Sequence, residues 1–558
     1  MDDLRDRNFL QILVLVGTTF SSLVVTPGIS MDPINLPKMF FLAIFAFIAF
    51  GYVTSNSLIL KDVKYRGSLI LSSIFILQLI LVLVFSSAPF NQQFFGTFGR
   101  NTGFLAYFSL TLLFVSTVYL GSKKFTDQLI KFLLASGSIS VLYGVLQISG
   151  NDPVPWKNDH NGMIAFFGNP NFSSAFLGIV SAGCWAIVLA PKIGISLLAR
   201  VALLIYQGIS LILIIRSDSI QGVVVFGLGF TVSAILYILK SQRLHLFFKS
   251  VLVLISAISI LATVAGTLKI GPLADFLYKV SVRQRGFYWQ AAKEMMLNHP
   301  FFGVGLDSYG DWYFQYRSAN AEFYSSGTSS NSAHSVFLDI GSTGGLPLLL
   351  AYLGIVAYIL TCSIRILKKV STKEIGIIFV IVAWLGYQAQ SLISINQLGL
   401  GIWGWVLGGT IVGYYIREVK LSNSYDSNEK NKKKLRATRR PHINAAIGAT
   451  FAVLFAGQPL MADHNYRQAA LTRDGNRVMA AAKARPIDTT RIMDAVNGFS
   501  GSGFPEPAIE LTKFALDNNP RSYVAWAFLS QLTDSNSVDH KRAVTEMKKL
   551  NPKNNEIK

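Results

Sequence analysis

Cysteine is almost missing from this chain: its 558 residues hold two, Cys184 and Cys362, both inside apolar runs. That excludes a disulfide framework and a thiolate zinc site. Charge is scarce too. Only 14% of the residues are Asp, Glu, Lys or Arg, against about a quarter in a soluble domain. Acidic residues are the rarest, 30 Asp and Glu against 50 Lys and Arg, for a formal net charge of +20. Such a balance invites nucleic acid, but the basic residues sit in short connections between apolar segments, where membrane topology needs them. No nucleic-acid partner is expected. A cleavable signal peptide is not evident either. The first apolar run leads into Thr26-Pro27-Gly28 without a small-residue cleavage site and reads as a spanning helix.

What the chain has in abundance is membrane-length hydrophobic sequence. Apolar runs lie near 9–25, 38–54, 67–86, 103–120, 129–149, 172–190, 198–215, 219–239, 248–266, 346–363, 375–394, 399–416 and 443–459. This predicts an all-α polytopic membrane protein with about 12–13 transmembrane helices. Lys and Arg occupy every second connection: Lys61/Lys64/Arg66, Lys123/Lys124/Lys131, Lys192/Arg200, Lys240/Arg243/Lys249, Arg365/Lys368/Lys369/Lys373 and 417–440, which includes Lys432-Lys433-Lys434. By the positive-inside rule the N-terminus is cytoplasmic, and the stretch 267–335 and the last hundred residues face outward. The expected division is a transmembrane domain at 1–419 with its outer loop at 267–335, a basic cytoplasmic linker at 420–442, a last spanning helix at 443–459 and an outer helical domain at 460–558.

The outer loop is a long polar insert between membrane-length apolar runs, and polar groups beside a bilayer are costly to place. It opens with Ser281-Val282-Arg283-Gln284-Arg285-Gly286-Phe287-Tyr288-Trp289, and a helix is expected from Gln290 to Asn298. Pro300 ends that helix, and Gly303 and Gly305 permit a tight turn. Trp312, Tyr313, Phe314, Tyr316, Phe323 and Tyr324 precede Asn331-Ser332-Ala333-His334-Ser335. Such aromatics suit either the membrane–water interface or stacking on sugar rings. After His334, the run to Gly344-Gly345-Leu346-Pro347 reads as a short helix turning into the next span.

Arg285-x3-Trp289, Pro300-x2-Gly303-x-Gly305, His334 and Gly344-Gly345-Leu346 follow one another in an order that resembles the O-antigen ligase and polymerase family of bacterial membrane enzymes. Gly96-Thr97-Phe98-Gly99-Arg100-Asn101-Thr102-Gly103 and Phe167-Gly168-Asn169-Pro170-Asn171 fit the same resemblance, which spans about residues 90–415. It implies a GT-C-like helical bundle in the bacterial cytoplasmic membrane. It also implies transfer of glycan from an undecaprenyl-diphosphate carrier to an acceptor hydroxyl or amine on a glycan, lipid or protein. In that family His334 matches a histidine that activates the acceptor, and Arg285 matches an arginine that meets the diphosphate. Chemistry agrees. A bidentate, always-charged donor suits a leaving diphosphate, and an imidazole titrating near neutrality suits a hydroxyl proton. No Asp-x-Asp pair lies on the outward face, so neither metal nor other cofactor is expected. The family's Ser-Arg-Gly element is replaced here by Ser219-Ile220-Gln221-Gly222, leaving Arg216 or Arg100 to supply a second charge. Arg283, Asn169 and Asn171 are further substrate-binding candidates, although Asn-Pro-Asn also makes a good helix start.

The region 460–558 is polar, with short amphipathic segments. Asn518-Asn519-Pro520 is echoed by Leu550-Asn551-Pro552, a pattern that resembles tetratricopeptide helix pairs and suggests a docking or capping surface for a protein partner. Two other functions compete with glycan ligation: a repeat-unit polymerase or protein O-oligosaccharyltransferase of the same family, and a transporter. A transporter predicts polar groups at mid-span depth, whereas Gln388, Gln390, Asn396 and Gln397 lie toward a helix end.

Overall fold

The computed structural model describes residues 2–55, 62–156, 162–190, 195–242, 244–267, 269–272, 274–277, 280–325, 327–420 and 441–554. The Lys432-Lys433-Lys434 run of the expected linker lies outside them. Helix is the only regular structure among the described residues. The membrane-embedded part comprises α1 (Asp2–Leu23), α2 (Asn35–Ser55), α3 (Arg66–Phe85), the short α4 (Phe90–Phe95), α5 (Phe104–Leu120), α6 (Lys123–Ile148), α7 (Pro170–Val188), α8 (Leu197–Arg216), α9 (Ile220–Lys240) and α10 (Leu246–Thr267). Outside the bundle come α11 (Ala274–Leu277), α12 (Val280–Asn298), α13 (Tyr309–Tyr316) and α14 (Ala319–Ser325). The chain returns with α15 (Val336–Lys369), α16 (Ile375–Leu392), α17 (Leu398–Tyr414) and α18 (Pro441–Thr472). Ten helices among the described residues are long and apolar enough to cross a membrane. The apolar α5 is shorter, and α1 carries its charges in its first two turns. The protein is a polytopic, all-helical membrane protein.

Helix α17 is the axis of the bundle, with every residue buried. Glycine makes this possible. A Cβ at Gly409 would strike the Thr117 side chain, and one at Gly413 would strike the backbone of Val118 and Gly121. Close backbone approach of this kind replaces the hydrophobic driving force that lipid removes between helices. Around α17 stand α5, α16, α1 and α15, while α3, α8 and α9 turn most of their apolar side chains outward, as lipid-facing helices do.

The two sets of loops distinguished by charge meet at different ends of the bundle. At one end Lys123 pairs with Glu374 at 3.1 Å, its backbone N–H donates to Glu418, Lys240 donates to the Val370 carbonyl at 2.5 Å, and Arg417 donates to the Tyr65 hydroxyl. At the other, Gln397 donates to Asn35, Asn35 to the Gly99 carbonyl, and the Met31 N–H to Asp463 at 2.7 Å. The polar Gln390, Asn396 and Gln397 belong to this second end, which also carries the 280–335 segment.

Beyond the bundle, α18 runs unbroken to Thr472, so the boundary expected at 459/460 falls inside one helix. It leads to α19 (Gly475–Ala482), α20 (Thr489–Gly501), α21 (Pro505–Asn518), α22 (Tyr523–Leu532) and α23 (Val538–Leu550). Asp474, Asp488, Ser522 and Ser537 cap four of these N-termini. Each helix packs on the next around Ile492, Val496, Leu511, Ala515, Trp526 and Leu529. Both Asn-Pro corners dock on the outer segment. Asn519 donates to Asp311 at 3.2 Å and Arg521 lies over the Trp312 ring, while Arg317 donates to Asn551 and Lys553 to the Arg317 carbonyl.

Candidate active site

A broken helix builds the site. Helix α15 departs from helical geometry at Gly345 (φ 79°, ψ 173°), two residues before Pro347, which has no N–H to offer. The break frees the carbonyls of Ser342 and Thr343, and the turn after Pro300 satisfies them: Val304 N–H donates to Ser342 at 2.9 Å and Gly305 N–H to Thr343 at 3.0 Å. Only glycine fits at Gly303 (φ 60°), where a Cβ would lie 2.3 Å from the Thr343 backbone. The expected short helix before the span is therefore present as Val336–Gly344, held at an angle to the membrane-crossing part.

That short helix carries Asp339. Its carboxylate accepts the Ala333 N–H at 2.7 Å and pairs with Arg100 at 3.6 Å. Arg100 also pairs with Asp307 at 3.4 Å and donates to the Asn331 carbonyl. Asp307 in turn accepts the N–H groups of Thr97 (2.8 Å) and Thr102 (3.2 Å). Burial alone would pull the Arg100 guanidinium down, but the carboxylates of Asp307 and Asp339 hold it above its ordinary value. Three separate segments, 96–103, 305–307 and 331–339, are thus pinned to one cation. The three residues Asn101, Asp307 and His334 all adopt left-handed backbone (φ 54°, 52° and 51°), a conformation that persists only where neighbours enforce it.

His334 is held by this arrangement. Its N–H donates to Ser332 Oγ at 3.1 Å, and its ring stacks on Tyr288 with centroids 5.2 Å apart. Among the described residues no protein group hydrogen-bonds its ring nitrogens. Burial first, then the positive charges of Arg285 and Arg100, push its pKa down to about 4. Arg285 lies on α12, one turn before Tyr288. It is half-buried, its Nε is enclosed without an acceptor, and no carboxylate pairs with it among the described residues. Burial lowers its pKa, the mark of a cation placed where water cannot fully solvate it. Arg283 is placed similarly, with its guanidinium over the Tyr324 ring at 4.9 Å and its Nε without an acceptor.

Residues 205–353 match the family model described as O-antigen ligase. This segment is O-antigen ligase-like. No curated protein matches the chain. The O-antigen ligase-like segment contains Arg216, Arg283, Arg285, Asp307, His334 and Asp339, whereas Arg100, Asn169 and Asn171 come from outside it. The match supports glycan transfer of the O-antigen ligase kind by a multi-pass membrane protein.

The other candidates lie elsewhere. Asn169 accepts the Asn171 N–H at 2.9 Å and caps α7 with Pro170 at its first position. Asn171 accepts from Ser219, tying α7 to the start of α9. Arg216 is the exposed last residue of α8. Where Ser-Arg-Gly would place an arginine, Gln221 is buried and reaches the Ile393 carbonyl at 3.5 Å.

Two local expectations are corrected. Residues 281–289 are helical, not an open loop, because α12 begins at Val280 and buries Phe287 and Tyr288 beside Ala291 and Met295. Tertiary packing supplies those extra turns. Trp312 and Tyr313 belong neither to an interface belt nor to a free stacking surface; they fill the segment's own core with Tyr288, Tyr309 and Ala333. Phe323 and Tyr324 are exposed. Sequence reasoning assigned no role to Asp307 and Asp339. The available signal was Arg100 itself, a cation in a Gly-rich turn that needs acidic partners once buried.

Proposed function

We propose that this protein moves a glycan from an undecaprenyl-diphosphate carrier to an acceptor hydroxyl or amine at the outer face of the bacterial cytoplasmic membrane, with the N-terminus cytoplasmic. The observation that carries this reading is the nearness of Arg285, which has no carboxylate partner among the described residues, to a histidine whose ring nitrogens none of those residues hydrogen-bonds. In the reaction the acceptor oxygen or nitrogen bonds to the anomeric carbon, and its proton passes to His334. The bond from that carbon to phosphate breaks, and the diphosphate leaves with the electron pair. Arg285 takes up the charge that develops there, and Arg283, two residues earlier on α12, is a second candidate cation for the substrate. Arg100 has a different task. Its charge is already offset by Asp307 and Asp339, so it positions the histidine hairpin and leaves the diphosphate to the unpaired arginines.

The depressed His334 pKa fits this sequence of events. At neutral pH the imidazole is unprotonated and ready to accept a proton. A bound diphosphate neutralises Arg285, which removes one of the causes of the depression and strengthens the base when it is needed. Basic loops gathered at the opposite end of the bundle support the outward orientation. Deleting the gene and examining the carrier-linked glycans tests the reading. Accumulation of full-length polymer on the carrier indicates a ligase, and single repeat units indicate a polymerase. Unchanged carrier-linked and surface glycans would refute glycan transfer.

A further inference from the structure

The two Asn-Pro corners of the C-terminal helices reach opposite ends of α13 and meet different groups there. At its C-terminal end, Asn551 accepts from the Arg317 guanidinium at 3.4 Å, and Lys553 donates to the Arg317 carbonyl. Arg317 pairs onward with Glu322 of α14. At its N-terminal end, Asn519, 2% exposed, donates to Asp311 Oδ2 at 3.2 Å, while its own oxygen accepts the Arg521 N–H at 3.2 Å. The same Asp311 oxygen accepts from Gln92 of α4 at 2.9 Å. The Gln92 amide nitrogen also lies 3.3 Å from the Asp307 carbonyl and 3.2 Å from Ser308 Oγ. Asp307 is the residue whose carboxylate pairs with Arg100. Asn519, Asp311, Gln92 and Asp307 thus form an unbroken line of contacts from the C-terminal helices to the cation that holds the His334 hairpin.

Asp311 makes that line sensitive to the corner. Burial pushes its carboxyl up, and the bonds from Gln92 and Asn519, with the positive charge of Arg521, oppose the rise. The corner supplies both Asn519 and Arg521. A buried carboxylate that loses a donor draws on the donors that remain beside it. Here the remaining donor is Gln92, which is shared with the Asp307 carbonyl. Drawing Gln92 toward Asp311 withdraws it from Asp307. The bonds of the Asn551 corner go to Arg317 instead.

We propose that Asn519 is a positioning residue for the transfer reaction: through Asp311 and Gln92 it fixes Asp307, and with it Arg100 and the His334 hairpin. The inference rests on the glycan-transfer reading, and it makes docking of the C-terminal helices a condition of full turnover. Contiguous contacts carry coupling only where a change at one end moves the other. Exchanging donor and acceptor tests this in the full-length protein, purified in detergent. An envelope extract of a strain deleted for the gene supplies the acceptor, and carrier-linked glycan from that strain is added in graded amounts. Asn519→Asp sets two carboxylates face to face and should lower kcat about tenfold, with KM for the carrier-linked glycan held within about twofold. Adding Asp311→Asn restores one donor and one acceptor across the contact and should return kcat to within about twofold of wild type. Asn551→Ala loosens the other corner and should leave kcat within about twofold of wild type, whatever its thermal midpoint. Rates are referred to folded protein. Where Asn519→Asp does not fold, Asn519→Ala carries the comparison, with an expected loss of about threefold. Unchanged kcat in the Asn519 variant, a loss carried by KM, equal kcat losses from both corners, or an exchanged pair as slow as the single variant overturns the positioning role and leaves glycan transfer standing. Absence of transfer by the wild-type protein overturns the glycan-transfer reading, and the positioning role with it.

Discussion

Charged residues at the two ends of the bundle serve different physical purposes. At the basic end, Lys123 and Glu374 form an exposed pair, with the lysine side chain 62% accessible. Such pairs are worth little and are easily replaced, and they act through their side of the membrane rather than their partner. At the opposite end, Arg100 sits between two buried carboxylates, while among the described residues no carboxylate pairs with Arg285 or Arg283. One cation there is neutralised to hold three segments together, and its neighbours are left positive. Charge that the protein buries without neutralising marks a candidate ligand site.

Breaking that contrast should give a graded set of effects. Replacing His334 with Ala removes the proton acceptor and should lower glycan transfer by about 10²–10⁴-fold with normal expression, read as product per unit of membrane protein. Wild-type transfer in that variant would sink the assignment. Arg285→Gln should cost about 10²–10³-fold, the usual consequence of losing one donor to a developing anion. It also carries a pH signature. With Arg285 present, His334 protonates only as the pH falls toward about 4, so kcat/KM should hold to low pH. Without that neighbouring positive charge the protonated form becomes easier to reach, and the acid limb should move to higher pH. A limb that stays in place would separate the arginine from the histidine.

Arg100→Ala tests structure more than chemistry. It leaves Asp307 and Asp339 buried without a counter-charge, which costs about 3–5 kcal/mol, and should appear as a lowered thermal midpoint in detergent together with reduced activity. Asp339→Asn retains an acceptor for the Ala333 N–H and should be milder. At the other end, Lys123→Ala should change stability by less than about 1 kcal/mol and leave activity untouched. Equal losses from Arg100→Ala and Lys123→Ala would erase the distinction between the two ends.

Much of this was legible in the order of residues. Thirteen apolar runs, the alternation of Lys and Arg between them, the proline-glycine turn after Asn298 and the Asn169-Pro170 helix start are local matters. Hydropathy, backbone conformation and capping act over a few residues, so they can be read in sequence. The order of motifs around Arg285 and His334 likewise resembles that of O-antigen ligases, and the family model matches there. Tertiary structure decided which arginine is free. Arg100, Arg216, Arg283 and Arg285 look alike along the chain, and only the fold brings Asp307 and Asp339 from far-apart segments onto Arg100 while no carboxylate among the described residues reaches Arg285. Whether a buried charge finds its counter-charge depends on what the whole chain packs around it, which no local pattern records.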